Sequence, residues 1–408
     1  MSRCSALGVS IPDHVPQHLV WDKRFDQFAA GHDDPYDCAA SLHQGPDMIW
    51  SPAAFRERPG WIATRYALIN DIFLDAELFS SEGLSETSAM LEVDWLLNPL
   101  EIDPPAHRRY RQFLQPWFQP TAIKKMEPRI RQVADEIISV FQDRGNCEFI
   151  EEFASLFPSY IFLDLMGLPR DRLPQFLEWE RGYMRASAIA DRIEAAKAIT
   201  AYLDDYMNER RNEAPRDDLI NAILHGSADG HQLNHREVMG MCMNLYLGGL
   251  DTVMSSLGWH MRYLAQHQDL QIRLRNRPQD LPGLVDDMVR AFGVVALSRT
   301  VARDTIFHGV ELRQGDLIML PTHLAGRDAR QYERPEIVDP DRKARHLTLG
   351  TGVHNCLGIH LAKREISIVL EQFLTRLRNI RIPQEAAVLW HAEGGVWGLD
   401  RLPLSWDS

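Results

Sequence analysis

The chain lacks the features that would take it into a membrane, out of the cell or onto nucleic acid. Its five cysteines (Cys4, Cys38, Cys147, Cys242 and Cys356) are few, odd in number and scattered over 408 residues. They do not have the spacings of a zinc site or a disulfide scaffold, so a reducing compartment is expected, the cytoplasm. No apolar run reaches membrane-spanning length, and Met1 to Asp26 mixes prolines, histidines and charges without the apolar centre of a signal peptide. With 44 basic residues against 57 acidic ones the net charge is −13, which argues against general nucleic-acid binding. No internal repeat, low-complexity tract or flexible linker divides the sequence, so a single large domain over residues 1–408 is expected.

What is present is mostly helical pattern. At 45% hydrophobic residues the chain can bury a large core. Helical stretches run over Pro120 to Gln142, Asp191 to Arg210 and Gln268 to Arg277. Strand-like segments are short: Met48 to Trp50, Trp61 to Thr64, Thr305 to Phe307, Asp316 to Leu320 and a group between Val388 and Leu404. The expected class is mainly α with a small β portion.

The densest signal is the loop Leu349-Gly350-Thr351-Gly352-Val353-His354-Asn355-Cys356-Leu357-Gly358. Gly350 and Gly352 can adopt backbone conformations closed to other residues, so the loop can fold back tightly. From Leu361 onward apolar residues recur at helical spacing, which places Cys356 at the mouth of a helix, where backbone N–H groups favour a thiolate. Gly358 leaves no side chain beside the sulfur, so a large planar ligand can approach, and haem is the candidate.

A second signal lies at about 234–266. Asn234 with Glu237 three residues on forms a capping box ahead of a run that is apolar on nearly every face. A helix of about 30 residues spans on the order of 45 Å. In its middle stands Gly248-Gly249-Leu250-Asp251-Thr252, a poor helix sequence expected to kink or widen the turn and free carbonyls for water. A close helix crossing that requires glycine is the alternative. Third, Asp103-Pro104-Pro105 reads as a helix start with Asp103 as N-cap and Pro104 as first helical residue. His107 and Arg111 then lie one turn apart on one face.

The cysteine loop closely resembles the haem-binding signature of the cytochrome P450 family, Phe-Gly-x-Gly-x-His-x-Cys-x-Gly, with Leu349 in place of the usual phenylalanine. Gly248 to Thr252 resembles the family's oxygen-activation motif. The resemblance implies haem b with Cys356 as axial ligand, and a role for Asp251 and Thr252 in delivering protons to dioxygen. It implies propionate contacts from His107, Arg111, Arg299 and His354. Asp287-Met288-Val289-Arg290 stands where the family has Glu-x-x-Arg, and the pairing is expected to survive with Arg342 as third member.

Gly60 to Arg65, Phe79 to Glu82, Gly248 to Val253, Phe307 to Val310 and Leu402 to Asp407 resemble the soluble bacterial camphor hydroxylases. In those enzymes a tyrosine before the Asp-Pro-Pro helix start holds the camphor ketone, and ungapped counting puts Trp95 there. The implied pocket is Trp95, Leu97, Leu247, Val295 and Val396, with Asn244 as a polar handle and Ala296 and Leu297 near its edge. A compact terpenoid or norisoprenoid ketone is the expected substrate, hydroxylated with O2. Electrons are expected from a [2Fe-2S] ferredoxin and its NAD(P)H-dependent reductase, docking at Arg109, Lys343, Arg345, Lys363 and Arg364. The stretch Arg185 to Ala190 is expected at the substrate entrance. Two alternatives stay open: a P450-fold enzyme with a non-monooxygenase reaction, and a haem-based sensor or binding protein without turnover.

Overall fold

The computed structural model describes residues 3–186, 188–343, 345–392 and 395–407. It is 53% helix and 15% strand, mainly α with a small β portion as the patterning indicates. The chain forms two compact units interleaved in sequence, the first from Met1–Leu84, Asp286–Cys356 and Ala392–Trp397, the second from Ser85–Val285, Leu357–His391 and Gly398–Ser408.

The first unit is built on a five-stranded sheet. Its strands are β1 (Met48–Phe55), β2 (Arg58–Ala63), β3 (Phe79–Ser80), β4 (Ala296–Val301) and β5 (Leu317–Pro321), in spatial order β1-β2-β5-β4-β3. Only the β2–β5 pair is parallel. Helix α1 (Tyr66–Leu74) buries Leu68, Ile69, Ile72 and Phe73 in a core with Trp61, Phe79, Ile318 and Leu347. The apolar positions of α1 recur at i, i+1, i+4 and i+5, which gives one face to that core.

After the short helix Thr322–Gly326, the described residues up to the cysteine loop form no helix or strand, and one buried arginine orders them. Arg290 is 1% exposed. Asp287, three residues earlier in the helix Leu281–Ala291, grips it with both oxygens, Oδ1 to Nε at 2.5 Å and Oδ2 to Nη2 at 3.0 Å. Arg290 Nη1 also donates to the carbonyls of Gly326 (2.7 Å) and Pro335 (2.6 Å), and Nη2 to that of Ile337 (2.9 Å). Arg342 Nε stands 3.0 Å from Asp287 Oδ1, and the backbone N–H of Asp339 donates to Asp287 Oδ2 at 2.6 Å. The shorter aspartate therefore keeps the expected pairing, because an i, i+3 spacing on one helix turn brings the two side chains together without the extra methylene.

The second unit is helical. Helices α2 (His107–Phe118), α3 (Pro120–Phe141), α4 (Phe157–Met166), α5 (Leu173–Arg185), α6 (Ile189–Arg211), α7 (His235–Gln266) and α8 (Ile359–Arg376) make its body. Strands Arg378–Arg381, Pro403–Asp407 and Asn146–Glu148 form a small sheet at its edge. The capping box of α7 is complete: Asn234 Oδ1 accepts from Glu237 N at 3.1 Å, and Glu237 Oε2 accepts from Asn234 N at 2.8 Å. The start of α2 differs from expectation. Its N-cap is Ala106, and the backbone carbonyl of Asp103 accepts from His107 N at 3.1 Å. Pro105 disfavours the helical conformation at the residue before it, so Pro104 cannot open the helix.

No helix among the described residues is long and apolar enough to cross a membrane. Asp287→Ala leaves Arg290 buried and without its anion, which is expected to cost about 3–5 kcal/mol of stability. A thermal melt and the haem-to-protein ratio check this, and unchanged values for both would show that the pair is not structural.

Candidate functional site

In the first unit the cysteine loop closes on itself. Gly350 (φ 68°) and Gly352 (φ 70°) both take the left-handed conformation. That lets Gly350 N donate to Leu347 O at 2.8 Å and Cys356 N to Leu349 O at 2.7 Å. A short 3-10 turn, Gly352–His354, carries His354. Cys356 is partly exposed at the end of the loop. Also in this unit, β4 presents alternate residues to one face, so Leu297 and Arg299 share a side, with Val295 in line just before the strand. Ala296 is on the opposite face, 3% exposed and paired with Pro321. Val295 forms an isolated bridge with Val396. Arg299 is buried over the Phe73 ring, 5.5 Å from its centroid, and its Nη1 donates to Ser298 O at 2.7 Å.

In the second unit Gly358 is the N-cap of α8 with φ −82°, a conformation open to any residue. The helix begins three residues after Cys356, at Ile359. On α2, His107 is buried and Arg111 partly so. Burial first, and the Arg111 cation second, hold the His107 imidazole below its usual range, so it is neutral at pH 7.

The long helix α7 separates the two readings of its glycine pair. A Cβ on Gly249 would overlap the ring of Phe162, so Gly249 is the close crossing of α7 on α4. A Cβ on Gly248 would meet nothing within 4 Å. Asn244, Leu247, Gly248, Thr252 and Ser256 form a partly uncovered stripe at helical spacing, on a helix buried along most of its length. The helix is not interrupted there: Thr252 Oγ1 donates to Gly248 O at 3.2 Å, so this hydroxyl takes up the carbonyl expected to hold water. Asp251 points the other way, 1% exposed, with Oδ1 accepting from Arg185 Nη2 at 2.5 Å.

Trp95 and Leu97 are buried in a loop organised by Glu101, a residue the motif search passed over. Glu101 is fully buried. Its Oε1 accepts from Ser85 N and Ser85 Oγ, both at 2.7 Å, and its Oε2 from Leu97 N at 3.0 Å. The available signal was one charged residue in the apolar run Leu96 to Ile102. The loop is held against α7 because Gly240 leaves room for the Leu96 carbonyl and Asn244 Nδ2 donates to Asn98 O at 3.1 Å. The handle expected of Asn244 is thus partly committed to structure.

Two cations expected in the docking patch are engaged as well. Arg109 Nη2 stands 2.8 Å from Glu237 Oε1, and Arg364 pairs with Glu127. Lys343 and Arg345 are exposed. Within the stretch Arg185 to Ala190, Ser187 lies outside the described residues, and the flanking Arg185 is drawn inward to Asp251.

A family model described as Cytochrome P450 matches residues 170–279 and 285–389. A probable cytochrome P450 127A1 of Sinorhizobium fredii is 33% identical over 406 residues, covering 97% of each chain. The chain belongs to the cytochrome P450 family. The crystal structures of P450 CYP101C1 and of CYP101J2 each superpose with a TM-score of 0.86 at 30% identity, over 98% of this chain and all of theirs. As a P450 the protein is a monooxygenase with haem b on a cysteine thiolate. The residues fit that group: one cysteine at the end of a tight loop, a glycine whose backbone does not require glycine, and a helix stripe where an added Cβ finds open space.

The two loop glycines are expected to differ in cost. A Cβ on Gly352 would lie 2.6 Å from Phe73 O, whereas on Gly350 the nearest atoms are 3.5 Å away. Gly350→Ala should cost only the left-handed strain of about 1–2 kcal/mol, and Gly352→Ala more, with a lower haem-to-protein ratio. Equal melting temperatures and haem content for the two variants would contradict this ranking.

Proposed function

We propose that Cys356 ligates the haem iron and that this P450 hydroxylates a compact, largely apolar substrate with a single carbonyl, of the terpenoid or norisoprenoid ketone class. The uncovered stripe of α7 is the observation that supports this most: Leu247 and Gly248 are apolar, and Asn244 and Thr252 are the uncharged polar groups beside them. A stripe without charge favours neither fatty-acid carboxylates nor cationic drugs. Trp95 replaces the tyrosine of the camphor hydroxylases. It is the N–H donor we assign to the carbonyl, with Leu97, Leu247, Val295 and Val396 as the apolar wall. An indole N–H donates from a different point than a phenol, so camphor binds weakly or in another pose.

Bound haem supplies reductive activation of dioxygen, and thiolate donation favours O–O cleavage. The chain holds and orients. In our reading Arg111 and Arg299 bring charge to the propionates, while the neutral His107, and His354, donate N–H bonds. Thr252 donates its one hydroxyl proton to Gly248 O and presents the oxygen's lone pairs on the open stripe, where they can accept a hydrogen bond and hold a protonated oxygen species in place. Asp251, on the buried side of the same turn, is the acid behind it. Electrons come from a small acidic [2Fe-2S] ferredoxin whose docking relies on Lys343 and Arg345, since Arg109 and Arg364 already carry partners.

The reduced, carbon monoxide-treated protein is expected to show a strongly red-shifted Soret band that Cys356→Ser abolishes. Titration with ionones is expected to produce a larger high-spin shift than camphor, and Trp95→Tyr should narrow that gap. A Soret band typical of histidine ligation would overturn the ligand assignment, and no shift with any ketone would overturn the substrate class. Thr252→Ala should keep NADH consumption while diverting it to hydrogen peroxide, read as a drop in product per NADH. Lys343→Gln should slow reduction by ferredoxin at low salt only, because screening removes the steering at high ionic strength.

A further inference from the structure

Next to Asp251 lies a second buried carboxyl with no part in the mechanism above. Glu180 on α5 is 2% exposed, and its Oε1 has no hydrogen-bond partner among the described residues. Asp251 Oδ2 is buried and equally without one. The guanidinium beside them, Arg185, is committed elsewhere: Nη2 to Asp251 Oδ1 at 2.5 Å and Nη1 to Asp400 Oδ1 at 3.5 Å. Asp400 in turn holds His391 Nδ1 at 2.9 Å. From α7, Tyr246 neighbours Glu180, but its hydroxyl donates to Phe176 O at 2.6 Å. Arg181, on the helix of Glu180 itself, is the other cation whose charge it feels. Two buried carboxyls thus stand by one inward cation, and that cation is bonded to Asp251.

A buried carboxylate without hydrogen bonds is costly enough that the group takes a proton instead. We propose that Glu180 is a neutral carboxylic acid in the folded enzyme and the proton donor that recharges Asp251 during turnover. This rests on the reading of Asp251 as the acid behind Thr252. The O–H bond of Glu180 breaks and one forms at Asp251 Oδ2. Negative charge moves from Asp251 to Glu180, no electrons change hands, and Glu180 is reprotonated from solvent afterwards. Arg185 and Arg181 stabilise the Glu180 carboxylate in the interval. Burial first, and the Asp251 charge second, hold the Glu180 carboxyl well above the usual carboxylate range against those two cations. Glu180 acts through Asp251 and touches neither substrate nor haem in this role.

The test uses the haem-loaded enzyme. A folded-state pKa raised above the unfolded value of about 4.3 means the stabilising contribution is complete below that pH and is lost as pH rises. Glu180→Gln cannot lose it, so its melting temperature relative to the parent should climb from pH 5 towards pH 8, taken as roughly the window above the unfolded value. Glu180→Leu should follow the same trend. The infrared C=O stretch of a protonated carboxyl should be present in the parent and missing in Glu180→Gln. In turnover with ferredoxin, Glu180→Gln and Asp251→Asn should each lower the rate several-fold and enlarge the solvent isotope effect. A relative melting temperature that is flat or falls with pH, or no carboxyl band to lose, overturns the neutral acid. Unchanged turnover in Glu180→Gln beside an impaired Asp251→Asn overturns the transfer alone. Unchanged turnover in Asp251→Asn overturns the reading of Asp251 itself, and the transfer with it.

Discussion

Arg290 and the groups that satisfy it are what the cysteine loop depends on. Among the described residues, the segment from Arg327 to Gly350 has no helix or strand to fix its path, so its carbonyls need other partners. A buried guanidinium offers five donors in a rigid fork. Arg290 spreads them over Asp287, Gly326, Pro335 and Ile337, while Asp287 reaches on to Arg342 and the N–H of Asp339. Tyr332, packed with its ring 5.1 Å from the same guanidinium, donates to Arg345 O at 2.6 Å. An irregular chain acquires a single path because one charge cannot stay buried unless each of those carbonyls is in place. The thiol is delivered at the end of that path.

Helix α7 solves a different problem, since one helix must pack tightly on one side and leave room on another. The glycine pair divides that work. Gly249 admits the Phe162 ring, and Gly248, one residue and about 100° round the helix, removes bulk from a different side. Thr252 ties its hydroxyl back to Gly248 O, which satisfies the hydroxyl where the surroundings are apolar and fixes its direction. Asp251, its neighbour in sequence, is turned by the same rotation towards Arg185. Adjacent residues thus serve different environments because a helix sends them to different faces.

Periodicity made much of this legible. The bounds of α3, the capping box of α7 and the left-handed glycines of the cysteine loop follow from local pattern and spacing, and the Asp287–Arg290–Arg342 cluster from the family resemblance. Three features do not. Asp103 fails as an N-cap because the second proline forbids the helical turn, a local rule that the Asp-Pro signal hides. Which strands flank β4 and bury Ala296 is a long-range matter, set by pairing such as that with Pro321. Arg109 and Arg364 look like free surface cations, yet their partners Glu237 and Glu127 are far away in sequence. Long-range pairing of charges leaves no trace in the spacing of either residue.

The same limit explains why Glu180 escapes sequence reading and why it is informative in the fold. Glu180 stands at helical spacing with Leu173, Phe176 and Tyr183 on the buried face of α5, but spacing alone does not say which groups surround it there. In the structure the contrast with Asp287 is direct. Both are buried carboxyls on helices next to an arginine, but Asp287 receives hydrogen bonds on both oxygens, whereas Glu180 Oε1 receives none among the described residues. A carboxyl that closes every bond of its neighbour is a scaffold, since moving its proton would break the cluster. One left unsatisfied beside a second acid can exchange a proton without breaking any bond that holds the fold. That difference in satisfaction, more than burial or charge alone, separates the architectural acid from the reactive one in this enzyme.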